Sequence, residues 1–553
     1  MIRYLTILLS ASLLLSCSPP SEIVITVIGT NDVHGVLLPQ DTGGGLVTLS
    51  GYVGAVREAR AADGGAVLLV DAGDMWQGTL ESNLSEGAAL VEAYNSIGYT
   101  AAALGNHEFD FGPAGPLPMP RSATDDPRGA LKQRAIEANF PFLAANLIDQ
   151  STGEPVRWPN VQPTALIEVK GIKVGIIGVM TERALTTTVA ANTVGLAIAP
   201  LAPTIEKEAR ALRESGASVI IVSAHAGGFC SEFIDATDTS SCDLSGEIFA
   251  VANSLPRNLV DHIFAGHTHA GTAHFVNGIS ISQSYSKTRA FGRVDFVFDR
   301  STGLRTKTTL FPPTKLVEIS DYEGHSFVPD RNIEAIAASA ASRADELRNK
   351  KIGIHLSSPF ELTKSPESPL GNLYTDGLLA SADVDISMHT TNTSIRANLP
   401  AGDLTFGSMY EMSPFDNQLT VIELSGAELR QVIAEQAQRG TVRVGMSGMR
   451  VHVECADKNM SVTMRLTSGL EIDDSAAVKI AVVNYLALGG DRVFASVMPE
   501  GGYELQLDAP LARDAIIDWL RQRGDSISET DFSSDDNPKW NLPQNLDSEC
   551  RLN

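Results

Sequence analysis

The chain has 553 residues, too many for one compact core, so two domains are the expectation. Its formal net charge of −24 excludes a nucleic-acid polymer as partner: a polyanion would be repelled at long range, and no window is basic enough to override that field. Hydrophobic content of 43% and charged content of 20% are ordinary for a globular protein.

The first seventeen residues, MIRYLTILLSASLLLSC, lie outside the expected fold. Arg3 is followed by an apolar stretch of signal-peptide length, too short to span a bilayer permanently, that ends at Cys17. The ending LLSC resembles a bacterial lipobox, with Leu15 where a small residue is more usual. That resemblance implies cleavage before Cys17 and lipidation of its thiol; an ordinary signal peptide cut nearby is the alternative. Ser18, on the usual sorting pattern, sends such a lipoprotein to the outer membrane, facing the periplasm or the cell surface. Removing Cys17 from the five cysteines leaves four. Cys230 and Cys242 suit a disulfide in an oxidising compartment, and Cys455 and Cys550 are a possible second pair. Spacing does not choose that pairing over two free buried thiols.

Residues 22–312 alternate short apolar runs with helix-like segments, the pattern of an α/β unit with buried strands. The runs are IVITVIG, AVLLVDAG, TAAALGN, KVGIIGV, SVIIVSAH and HIFAGHTH. At 330–350, Ile333, Ile336, Ala337, Ala340 and Leu347 recur at helical spacing, which predicts a linker helix. A smaller α/β domain follows over 353–525, with DLTFGSMYEM and VKIAVVNYLAL among its predicted strands. Residues 526–553 are polar and acidic and predict a loosely held tail.

Five of the six runs lead into metal-ligand types. Asp32 and His34 follow the first, Asp74 the second, Asn106 the third, His225 the fifth, and His267 and His269 the sixth. Parallel strands present their carboxyl ends on one edge, so residues distant in sequence converge there. Two divalent cations roughly 3.5–4 Å apart need a shared carboxylate with imidazole and amide ligands. Asp74 is the candidate for sharing; Asp32, His34 and His269 complete one set, and Asn106, His225 and His267 the other. Nitrogen and oxygen ligands without thiolate suit Zn²⁺, Mn²⁺, Fe or Co²⁺ better than Ca²⁺ or Mg²⁺. A lone strand-end histidine is more often a satisfied polar residue than a ligand. Here five of the eleven histidines, His107 included, fall inside these motifs.

The motifs Asp-x-His, Gly-Asp-x-x-x-Gly-Thr, Gly-Asn-His-Glu-Phe-Asp, His-x-Gly-Gly and Gly-His-x-His resemble those of the calcineurin-like metallophosphatases. Gly-Asn-His-Glu-Phe-Asp points to their bacterial 5′-nucleotidase/UDP-sugar hydrolase branch, in lipoprotein form. The resemblance implies a four-layer αββα sandwich holding two metals, joined to a domain that binds the nucleoside. It also implies that His107 and Asp110 form a catalytic dyad, the imidazole contacting the phosphoryl group while Asp110 orients it. The reaction implied is in-line attack on phosphorus by a metal-bridging hydroxide, without a phosphoenzyme.

In the second domain, Arg396, Phe415, Tyr485 and Asp491 resemble the family's clamp of two aromatic rings, an arginine and a sugar-binding acid. Tyr485 stands where phenylalanine is commoner. Two further departures bear on specificity: TNTSIR (391–396) replaces the family's Asn-Gly-Gly-Gly-Ile-Arg, and TKSPESP precedes LGNLYTD where an arginine is frequent. The first reading is an exported, membrane-anchored phosphohydrolase of nucleotide 5′-phosphates. The alternatives are the same fold acting on 2′,3′-cyclic nucleotides, nucleotide sugars or a sulfur-linked ester, and, more remotely, a non-catalytic surface-binding lipoprotein.

Overall fold

The computed structural model describes residues 21–552, apart from Pro116, Lys364, Pro366 and residues 391–393, 440–443, 500–501, 507–508, 535–536 and 544–549. Cys17 and its leader, and Thr391 to Thr393 of the altered stretch, lie outside the described residues.

Strands β1 (Glu22–Thr30), β2 (Ala66–Asp71) and β3 (Ala101–Ala103) run parallel within a seven-stranded sheet. Strands β4 (Ile172–Met180), β5 (Val219–His225) and β6 (His262–Ala265) run parallel within a six-stranded sheet. Their apolar runs are continuous because both faces are covered. Ile25, Val27, Leu68 and Val70 meet Val174, Ile176, Val219, Ile221 and Phe264 in a core between the sheets. On the opposite faces, Ile28 and Leu69 pack under helices Gly45–Asp63 and Ala88–Ile97, and Ile177, Ile220 and Val222 under Leu201–Glu214 and Glu247–Ser254. The layers run helix, sheet, sheet, helix, the αββα sandwich that the resemblance implies. At Gly29 the sheets approach so closely that a Cβ would lie 2.0 Å from the Phe264 ring.

Helix Arg331–Arg348 starts where the Asp330 side chain accepts from Asn332 N. Ile333, Ala337 and Ala340 pack onto the first domain, and Ala344 meets Leu80 and Tyr410, one from each domain. The second domain is built on a four-stranded sheet, ordered Leu419–Ser425, Ala477–Val483, Ile386–Thr390 and Val444–Ser447. Helices Pro369–Ala380, Gly426–Gln438 and Ala512–Arg523 share its core.

Three expectations need correction. Only the first three residues of DLTFGSMYEM are strand, within Gly402–Thr405; Thr405 and Ser408 then form a capping box that starts helix Phe406–Met412. VKIAVVNYLAL likewise ends its strand at Val483 and turns into the short helix Asn484–Ala487. The tail is not loosely held in its described parts. Ser526–Ile527 pairs with Lys351–Leu356, and Trp540–Asn541 with Met449–Ala456. The buried Trp540 indole donates to Val444 O at 3.0 Å, and Cys550 is disulfide-bonded to Cys455. Its polar composition hid two apolar anchors. Cys230 and Cys242 form the other disulfide. Among the described residues, no helix is long and apolar enough to cross a membrane.

Candidate functional site

The loops that follow β1, β2, β3, β5 and β6 meet at one place. There Asp32, His34, Asp74, His267 and His269 all have positive φ, at 48°, 49°, 59°, 72° and 55°. Such angles are uncommon outside glycine, and residues held there persist only when their surroundings hold them. Part of that hold is the pair of backbone bonds from Asp32 N to Gly73 O and His34 N to Asp74 O, each 3.0 Å.

The imidazoles show what the cluster requires. His34 Nδ1 lies 2.8 Å from Gln77 O, and His225 Nδ1 lies 2.9 Å from Ala72 O. A carbonyl only accepts, so each Nδ1 carries a proton, and either ring when neutral keeps its lone pair at Nε2. Those lone pairs face other acceptors. His34 Nε2 is 3.0 Å from His269 Nε2, and His225 Nε2 is 3.0 Å from Asn106 Oδ1 and 3.2 Å from Asp74 Oδ2. Asn106 turns its oxygen inward because its Nδ2 donates to Thr187 O at 2.9 Å.

Acceptors converging without donors between them form the ligand set of a cation site. They fall into two groups, Asp32 with His34 and His269, and Asp74 with His225 and His267, each with its ligand atoms within 4.8 Å of one another. The residues present therefore fit two divalent cations. Without them, protons take up part of the charge. Burial opposes an imidazolium at His225, but the adjacent Asp74 carboxylate raises it to about 10. Burial would raise Asp74, but the His225 and His107 imidazoles hold it well below the usual carboxylate range. Burial, with the charge on His225, brings His267 down to about 4.

Beside the two groups, His107 Nδ1 lies 2.6 Å from Asp110 Oδ2, and His107 N donates to Asp74 Oδ1 at 2.9 Å. Burial opposes a charged His107, but Asp110 and Asp74 raise it. Glu108, between them, has a function that the sequence reading missed. Its carboxylate accepts from Gly105 N at 2.6 Å and from Asp74 N and Met75 N at 2.8 Å each, which ties the loops after β2 and β3 together. Position 105 must be glycine, since a Cβ would meet Asp74 Oδ1 at 2.2 Å.

The second domain brings its four candidates to the same place. Arg396, Phe415, Tyr485 and Asp491 line a cavity of about 790 Å³ together with Asn106, His107 and Asp110. The Arg396 guanidinium sits 5.2 Å from the centre of the Phe415 ring, and that ring lies 5.9 Å from the His107 ring at 27°. Tyr485 seats its ring on Gly490, where a Cβ would meet it at 2.5 Å, and donates from its hydroxyl to Asp491 Oδ1 at 3.1 Å. Gln77 Nε2 donates to Pro414 O at 3.0 Å, and Asn83 Nδ2 to Tyr410 OH at 2.6 Å, joining the domains beside the cavity.

An αββα sandwich with two such ligand groups at its loop edge defines the calcineurin-like phosphoesterase class, and residues 25–271 match that family. Residues 351–498 match the 5′-nucleotidase C-terminal domain. The chain belongs to the 5′-nucleotidase family of calcineurin-like phosphoesterases. It is 28% identical over 528 residues to Endonuclease YhcR of Bacillus subtilis, covering 93% of this chain but 41% of that protein. To Protein UshA of Yersinia enterocolitica it is 25% identical over 499 residues, 84% of this chain and 86% of the relative. Its fold is similar to the crystal structure of a 5′-nucleotidase precursor from Thermus thermophilus, with a TM-score of 0.68 at 23% identity, covering 91% and 97% of the two chains.

Proposed function

We propose that this chain is an exported two-metal phosphohydrolase that converts nucleoside 5′-phosphates to nucleoside and phosphate. The observation that carries this reading is the shared cavity, in which Phe415, Tyr485, Asp491 and Arg396 of one domain face His107, Asp110 and Asn106 of the other. Asp32, His34 and His269 would hold one divalent cation and Asn106, His225 and His267 a second, with Asp74 shared. When bound, the cations supply charge for phosphoryl oxygens and acidify water at neutral pH. His107, oriented by Asp110, keeps a proton at Nε2 for an oxygen of the reacting phosphoryl group. Arg396 adds positive charge in a half-buried position, where it is worth more than in water. Phe415 and Tyr485 offer ring faces to a base, and Asp491 an acceptor to sugar hydroxyls. Export rests on the leader together with two disulfides, which form and persist in oxidising compartments. Membrane anchoring rests on Cys17.

One observation favours a second reading, the same machinery with a different phosphoester or a sulfur-linked ester. The Tyr485 hydroxyl already occupies one oxygen of Asp491, so the acid meets a sugar with part of its capacity engaged. A hydrolysis panel separates the two. Protein lacking residues 1–17, loaded with Mn²⁺ or Zn²⁺, is assayed on AMP, a 2′,3′-cyclic nucleotide, UDP-glucose and an aryl phosphate. Highest kcat/KM on AMP is the expected result. Equal slow rates on all four would overturn the nucleotide assignment, and absence of metal and turnover together would return the chain to a binding role.

A further inference from the structure

The loop after β4 holds the Gly-Asn-His-Glu-Phe-Asp turn from about eighty residues away, and the sequence carries no signal for it. Asn106 Nδ2 donates to Thr187 O at 2.9 Å, Thr188 Oγ1 to Asp110 Oδ1 at 2.7 Å, and Asn192 Nδ2 to Phe109 O at 2.8 Å. Asp110 thus has both oxygens engaged, Oδ2 by His107 Nδ1 and Oδ1 by Thr188. Thr188 is 4% exposed and borders the cavity, so water does not readily replace its hydroxyl. The terminal torsion of an aspartate is soft, and a carboxylate held through one oxygen rotates, carrying its imidazole partner with it. A second hydrogen bond fixes its plane. Misplacing a reacting group by about 1 Å costs on the order of 100-fold in rate, so fixing that plane matters for turnover.

We propose that Thr188 is a positioning residue that aims the His107 imidazole by locking the Asp110 carboxylate. The inference rests on reading His107 and Asp110 as the catalytic pair. It requires that the Thr188 hydroxyl matter only while Asp110 is present.

The test uses the full chain, metal-loaded, with AMP and p-nitrophenyl phosphate as probes. Thr188→Val, which keeps the shape and removes the donor, should lower kcat about tenfold or more with KM within about threefold. Thr188→Ser should restore kcat to within about threefold of wild type. In an Asp110→Ala background, Thr188→Val should make no further difference, because interacting residues lose additivity. A readout independent of turnover is the His107 Nδ1 proton in ¹⁵N-histidine-labelled, metal-free protein, protected from exchange in wild type and Thr188→Ser and lost in Thr188→Val. Thr188→Ala, judged by the same criteria, replaces the valine variant if that one does not fold. Normal kcat in Thr188→Val, or an equal loss with and without Asp110, overturns the inference. If His107→Ala and wild type turn over equally, the reading of the pair fails first and takes the inference with it.

Discussion

His107 belongs to neither ligand group, yet its backbone N–H is bound to Asp74 Oδ1 and its ring to Asp110. His107→Ala keeps the backbone bond and removes the ring. Metal content should therefore stay unchanged while kcat falls about 10²- to 10⁴-fold. Metal content by mass spectrometry, measured on the same samples as the kinetics, checks this; a nearly normal rate would remove His107 from the chemistry. Residues such as His107 were legible because their motif is local, with four polar side chains within five positions. Glu108 is one of those four, yet the motif does not disclose its role, since its work is to accept three backbone N–H groups, two of them from the loop after β2. Thr188 was illegible altogether: a threonine within TTT looks the same whether or not its hydroxyl meets a carboxylate 78 positions away.

At the scale of the element, buried strands impose their own pH dependence. His262 on β6 is fully buried between Ser280 Oγ at 2.8 Å and Ser282 Oγ at 3.1 Å, and burial lowers it to about 3. The sign follows from linkage. The unfolded chain binds this proton below about 6.5 and the folded chain does not, so stability present above that pH is lost as pH falls toward 3. At pH 4.5 the loss from this one group is about 2 to 3 kcal/mol. His262→Gln, which keeps hydrogen-bonding capacity and cannot titrate, should lose less stability than wild type between pH 7.5 and 4.5. Urea midpoints at the two pH values decide it, and parallel losses would refute it. The same scale explains the misread elements. The strands that end at Thr405 and Val483 lie in runs whose apolar content alone reads as continuous; a short capping box follows the first, and Asn484, whose Oδ1 accepts from Gln418 N at 3.1 Å and Tyr485 N at 2.9 Å, follows the second.

For the whole molecule, the cavity lies where two domains meet, because Phe415, Tyr485 and Arg396 come from one and the ligand groups from the other. From the family resemblance we propose that the second domain rotates to carry substrate to the metal site. Among the described residues, the bonds that join the domains include Asn83 to Tyr410 and Gln77 to Pro414. A covalent cross-link across the Asn83–Tyr410 contact should depress turnover several-fold and leave the metal content unchanged, with reduction of the link restoring the rate. Unchanged turnover with the link complete would mean that substrate enters and product leaves without rotation.

The resemblance carried by the motifs implied the αββα sandwich; by itself the sequence determined an α/β first domain, the seven ligand candidates and the tandem of domains. Each of these is written in local patterns: continuous apolar strands, and polar residues set just past their ends. Only the tertiary structure decided the pairing of the second disulfide, the docking of the C-terminal segment, and the partners of Glu108, Thr188 and Tyr485. Those depend on which distant atoms fall within about 3 Å, and a hydrogen bond of that length leaves no periodicity in the chain to read.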